Sequence, residues 1–270
     1  MKKLGIAYNL FDGEELLANS LENMRSMVDF ICVVYQTKSN FNNLNKNVEK
    51  VVKDLKSKGL IDYIYKYEAN YNYDKNSNIH LTNGLNNEIK KRNIGLEICK
   101  QNNCDIFMTI DCDEFYDEKQ FYNCRKEFEE NDYDSSFCKM KTFYKHPTYE
   151  LKKSEDYYVP LFYKIKNNNK FNLSNRDSSY PVIADPTRTL KAGYSRVFTR
   201  EEIEMYHYSY VRSSIISKIV NSSSQSDYET KSEIISHFDK FKNIKQGALI
   251  VGNYEIQELK KVDNKFNIEI

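Results

Sequence analysis

The chain has 270 residues, long enough for one large domain or a domain with an appendage. Its 40 Lys and Arg nearly cancel 39 Asp and Glu, and a formal net charge of +1 gives no footing to a general nucleic-acid binder. With 40% hydrophobic residues, 22 Tyr and 15 Phe, a sizeable core can form, yet no apolar run reaches the roughly 18 residues that a membrane-spanning helix needs. Six cysteines, at 32, 99, 104, 112, 124 and 138, make no CxxC pair and suit core positions in a reducing, cytoplasmic setting. The opening MKKLGIAYNLFDGEE is too short in its apolar run for a signal peptide.

The first half alternates. KLGIAY, residues 3–8, reads as a strand, and a helix follows with Leu17, Leu21, Met24 and Val28 on one stripe. FICVVY (30–35) is a continuous β-branched and aromatic run, as expected of a strand buried on both faces. A second helix is expected over 44–57 through Leu44, Val48, Val51, Val52 and Leu55, then a strand at 61–67. An Asn-rich loop (68–83) leads into a third helix (84–101) and the strand DIFMTI at 105–110. This spacing predicts an α/β fold with a mostly parallel sheet wrapped by helices, and ligands bind beyond the C-terminal strand ends of such sheets. The remainder reads as mixed: a helix near 117–130, strands at 134–140, 157–165 and 180–184, and helices at 211–221 and 229–241. Residues 1–120 and 121–270 are taken as two halves of one domain.

Directly behind the fourth strand stands DCDE, residues 111–114. Mg²⁺ and Mn²⁺ prefer oxygen ligands and use one or two carboxylates with substrate phosphates. Asp111 and Asp113, spaced i, i+2 at a turn, can approach one ion; the plain alternative is an acidic turn capping a strand. On the preceding helix Leu85, Ile89, Leu96 and Cys99 share a face, and Arg92 falls in its middle. A cation there must snorkel out to solvent or meet an anion, either a ligand phosphate or carboxylate or the acidic cluster itself.

EELLANSLENMRSMVDFICVVYQ followed by KRNIGLEICKQNNCDIFMTIDCDEFY resembles the nucleotide-sugar glycosyltransferases of GT-A type, close to the family 2 group, over residues 3–120. The resemblance implies a GT-A, Rossmann-like fold with a mixed α+β C-terminal half. It further implies that Asp113 binds a Mn²⁺ or Mg²⁺ bridging the donor diphosphate, and that Asp111 lies near the ribose or supports the metal through water. Arg92 would neutralise a phosphate or orient the DxD loop, and Ala7 and Asn9 would flank the base and ribose. Many members carry an aspartate after the second strand where this chain has VVYQTKS, so Tyr35, Gln36 or Thr37 must substitute. The donor implied is a nucleoside-diphosphate sugar, UDP-sugar foremost, and the acceptor a glycan or lipid-linked glycan of bacterial surface polysaccharide. Family habit sets the work in the cytoplasm, with peripheral contact at the inner face of the membrane.

In the second half, EMYHYSYVRSS (204–214) holds His207, one of only four histidines. GT-A enzymes bring a distant C-terminal histidine into the metal shell, and His207 resembles it in order; otherwise it is a packed histidine on an aromatic strand. Arg212 would face the diphosphate and stabilise the leaving group. An inverting transfer needs a general base. Asp185 in VIADPTR is the candidate, with Asp156 and Asp177 competing, unless Asp185 only caps the turn at Pro186.

Two rival readings stand. A phosphohydrolase of haloacid dehalogenase type also uses DxD, but on its first strand and as DxDx[TV]. A tyrosine-rich, non-catalytic sugar- or nucleotide-binding protein is the other.

Overall fold

The computed structural model describes residues 1–69, 79–173, 181–191, 193–221 and 228–270. In chain order the first half comprises β1 (Leu4–Leu10), α1 (Glu14–Arg25), β2 (Phe30–Tyr35), α2 (Val48–Ser57), β3 (Tyr63–Lys66), α3 (Ile79–Gln101) and β4 (Ile106–Ile110). The second half holds β5 (Glu114–Phe115), α4 (Glu118–Glu130), β6 (Ser135–Tyr144), β7 (Tyr149–Leu151), β8 (Tyr158–Lys164), β9 (Ser195–Val197) and β10 (Glu204–Tyr210). It closes with α5 (Ile216–Asn221), α6 (Tyr228–Lys240), β11 (Ala248–Ile250), β12 (Asn253–Gln257) and β13 (Leu259–Lys261).

The main sheet runs β13-β7-β6-β8-β4-β1-β2-β3. Strands β3, β2, β1 and β4 are parallel, which is the Rossmann-like unit expected. β8 then enters antiparallel between β4 and β6, and the rest of the sheet is mixed. The fold is α/β: a parallel, Rossmann-like half continued by a mixed half, with helices against the sheet.

Alternation along β1 explains the layers. Leu4, Ile6, Tyr8 and Leu10 face a core shared with Leu17 and Leu21 of α1, Val52 of α2 and Phe121 of α4. Ala7 faces the opposite core with Ile89, Leu96 and Cys99 of α3. Every residue of β2 is buried, as its unbroken apolar run requires. Gly95 sets how closely α3 approaches: a Cβ there would stand 2.4 Å from that of Ala7. All six cysteines are free and buried.

Several boundaries differ from the sequence reading. α1 ends at Arg25, so Val28 joins the core from the loop beyond it. α2 begins only at Val48, because Leu44 is exposed and bridges Lys38 instead. α3 starts at Ile79, inside the expected loop. The strand expected at 180–184 reduces, within its described part, to one bridge between Ala184 and Tyr158. The helix expected at 211–221 begins at Ile216, since the chain ahead of it is still leaving β10. Asp177 lies outside the described residues. No helix among the described residues is long and apolar enough to cross a membrane.

Candidate active site

A cleft of about 280 Å³ opens where β1, β2 and β4 end. Asn9 reaches it from β1, Gln36 from the turn after β2, Arg92 from α3, and Asp111 and Asp113 from the turn after β4. Asp185, His207 and Arg212 complete its far side. Eight of the nine residues expected at a site therefore share one cavity. Ala7 does not: its side chain packs beneath, against Gly95 of α3, so Asn9 is the β1 residue that lines the cleft.

His207 arrives by strand pairing. β10 runs antiparallel to the short β5, with His207 opposite Glu114, and the Tyr208 N–H donates to the Asp113 carbonyl at 2.8 Å. His207 Nε2 then stands 3.8 Å from Asp113 Oδ1. Burial drops the imidazole pKa to about 4, against the pull of Asp113, so the ring is neutral at pH 7.

Arg212, just past β10, donates from Nη2 to Asp113 Oδ2 at 3.1 Å and lies 3.3 Å from Asp12 Oδ1. Its path explains Gly13. With φ at +88°, that residue sits in the left-handed region, and a Cβ would come 2.7 Å from Arg212 Nη2 and 2.8 Å from Cys112 Sγ. Lys218 of α5 adds a further cation 3.7 Å from Asp113 Oδ2. Burial opposes the charge on Asp113, but Lys218, His207 and Arg212 outweigh it and hold the carboxyl far below the usual range.

Arg92 is buried and donates to Thr109 Oγ1 at 2.6 Å, with Asp111 Oδ1 at 3.7 Å. Of the two readings offered for it, the acidic cluster is one partner, and its place on the cleft wall leaves the other open. Four residues escaped the sequence reading. Lys91, beside Arg92 in KKRN, lines the cleft, and burial lowers its pKa to about 8, with Arg92 adding to the fall and Glu88 and Asp111 opposing it. Asp12 and Lys218 line it as well. The fourth is Arg188, whose Nη2 donates to Asp111 Oδ2 and, at 2.5 Å, to Glu114 Oε1. Arg188 follows Asp185 by three residues in VIADPTR, and that i, i+3 spacing was its one sequence signal. Burial lifts Glu114 to about 7 despite Arg188, while Asp111 stays below its usual range because Arg188 and Arg92 overcome burial.

Asp185 has both oxygens engaged. Oδ1 accepts from the Thr187 N–H and hydroxyl, each at 2.8 Å, and Oδ2 lies 3.5 Å from Arg188 Nε. It caps the Pro186 turn, the alternative weighed above. Asp156 is paired with Lys139.

Around this floor several buried acceptors have no hydrogen-bond partner among the described residues: Asn9 Oδ1, Asp12 Oδ2, Gln36 Oε1 and Asp111 Oδ1. One carboxylate facing one neutral imidazole fits a Mn²⁺ or Mg²⁺ whose remaining positions come from phosphate and water. Asp12, Glu14 and Glu15, at the start of α1, bring three carboxylates within 4.8 Å of one another.

No protein-family model and no curated protein matches the sequence. Solved structures do. S. aureus TarS is 14% identical with a TM-score of 0.45, the match covering 87% of this chain and 42% of that one. Its 1–349 fragment in complex with UDP is 15% identical with a TM-score of 0.47, over 87% of this chain and 70% of that one. The same fragment in complex with UDP-GlcNAc is 15% identical with a TM-score of 0.44, over 87% and 71%. The chain thus spans less than half of the longer TarS chain.

Proposed function

We propose that the protein is a metal-dependent GT-A glycosyltransferase, moving a sugar from a nucleoside-diphosphate donor, UDP-sugar foremost, to a glycan or lipid-linked glycan in bacterial surface polysaccharide synthesis. One observation carries the reading: the DxD carboxylates, a neutral histidine and the cations Lys91, Arg92, Arg212 and Lys218 converge on a single cleft at parallel strand ends. A sugar nucleotide brings a diphosphate and needs that balance of charge.

Asp113 and His207 would hold the Mn²⁺ or Mg²⁺, which when bound supplies Lewis-acid stabilisation of the diphosphate leaving group. The chain's own cations do the rest. Lys91 and Arg92 face the phosphates from α3, and Arg212 and Lys218 from the opposite side, where charge grows as the leaving group departs. Asn9 Oδ1 and Gln36 Oε1 offer acceptors to the N–H and hydroxyl groups of base and ribose. Gln36 thereby takes the place of the aspartate that follows the second strand in the resembling family. Asp111, the attacking group in a phosphohydrolase, is instead tied to Arg188 and Arg92.

The test is donor turnover. The protein with Mn²⁺ should release nucleotide from UDP-sugars, and Asp113→Asn should lose that release by at least about a hundredfold while its circular dichroism stays native. Metal-dependent turnover in Asp113→Asn at the wild-type rate defeats the assignment. Release of phosphate from phosphomonoesters without nucleotide release would instead favour the hydrolase.

A further inference from the structure

The last turn of α3 meets β1 through two cysteines. Cys99 stands in that turn and Cys104 in the bend that leads into β4; Cys99 is fully buried and Cys104 is 6% exposed. The backbone closes the helix between them. The Cys104 N–H donates to the Cys99 carbonyl at 3.1 Å and the Asn103 N–H to the Lys100 carbonyl at 3.0 Å, with Asn103 in the left-handed region at φ +57°. In this kind of helix stop, the side chains at the two ends of the longer hydrogen bond come together, ordinarily as an apolar contact. Here both are thiols.

Gly5 of β1 sets how near they lie. A Cβ there would stand 2.6 Å from Cys104 Sγ and 2.9 Å from Cys99 Sγ, so the two sulfurs share the hollow left by one absent side chain. Their chemistry differs. The Cys99 thiol, hydrogen-bonded to it, holds Cys104 below the ordinary thiol pKa; Lys3 adds to the fall, against burial, Asp29 and Asp105. Lys3 is fixed nearby, its Nζ donating to the Asn102 carbonyl at 2.8 Å. Burial pushes Cys99 up. One sulfur is thus ready to attack and the other, in contact with it, is ready to resolve.

We propose that Cys99 and Cys104 form a redox-modification site, a reversible disulfide made by exchange with a small-molecule disulfide, which staples the end of α3 to the entry of β4. The Cys104 thiolate attacks one sulfur of a compound such as oxidised glutathione. That S–S bond breaks and its electron pair leaves with the first thiolate. Cys99 loses its proton and attacks the Cys104 sulfur, and the second thiolate leaves with the electrons of the mixed disulfide bond. Two electrons pass from the pair to the small disulfide, which ends as two thiols carrying the two protons. The helix so stapled carries Lys91 and Arg92, and the strand leads to Asp111 and Asp113. The site stands whether or not the cleft takes a nucleotide.

The test treats the full chain with excess oxidised glutathione, denatures it in acid and counts free thiols by alkylation and mass spectrometry. The count should fall from six to four with no glutathione retained, and dithiothreitol should restore all six. Trypsin cuts between the two at Lys100, so peptides 93–100 and 101–119 should appear joined. Cys112 shares the second peptide, and Cys104→Ala should therefore abolish the link, while Cys32→Ala, a change in the same core, should keep it. Oxidation should raise the Tm of the wild type by roughly 3–6 °C, as a short closed loop allows. Six free thiols after oxidation, glutathione held on Cys104 without a cross-link, a link that survives Cys104→Ala, or an unchanged Tm in the cross-linked protein would each overturn the proposal. The wild-type peptide map decides even if a variant fails to fold.

Discussion

Replacing Arg188 by Met keeps the length of the side chain and removes its charge. In the native protein the Arg188 and Glu114 side chains are 6% and 2% exposed, and this guanidinium is the donor to Glu114 Oε1 at 2.5 Å. Glu114 Oε2 has no hydrogen-bond partner among the described residues, so the variant strands the whole carboxylate in the interior. Breaking a buried pair from one side costs about 3–5 kcal/mol. For a chain of this size that is a fall in Tm of roughly 6–20 °C. Glu114→Gln should cost only about 1 kcal/mol, because Arg188 keeps Asp111 and Asp185. The double variant should then recover at least about 1 kcal/mol relative to the sum of the singles, the stranded charge having gone. Urea unfolding of the four proteins measures the cycle. A cost below about 1 kcal/mol for Arg188→Met, or strict additivity, would show that Glu114 does not depend on this guanidinium.

His207→Ala should weaken Mn²⁺ binding about 10- to 100-fold without unfolding the protein; a metal titration identical to wild type removes the histidine from the shell. Lys91, with its pKa near 8 against an ordinary 10.5, predicts opposite pH trends for binding and stability. The unfolded chain binds the extra proton between these values, so stability from this group rises as pH climbs through that window and is lost as pH falls through 8. Nucleotide affinity runs the other way, falling between pH 7 and 9 as Lys91 loses its charge among Glu88, Arg92 and Asp111. Calorimetry with UDP at both pH values checks this, and a Lys91→Met variant should be flat; an equally steep fall in that variant would assign the effect elsewhere.

The parallel half of the fold and the DxD turn were legible because their signals are local. A buried strand shows as an apolar run, an amphipathic helix as a stripe, and a close carboxylate pair as two positions at one strand end. Helix ends were less legible: Leu44 and Val28 fit a helical period, but solvent exposure of one and loop packing of the other stopped the helices short. Ala7 was placed at the ligand by its position along β1; it shares a face with Asn9, but lies one step deeper, where Gly95 of α3 packs against it.

What the sequence determined by itself is the chemistry available: carboxylates, a scarce histidine and paired basic residues in a particular order. Which of them meet was decided only in three dimensions. The two hydrogen-bonding rows of β5 and β10 put His207 beside Asp113, 94 positions apart in the chain and 3.8 Å in space. Arg188 and Lys218 carry no local signature of their roles. Their importance comes from burial, which makes an unpaired charge costly and so fixes who must be near whom.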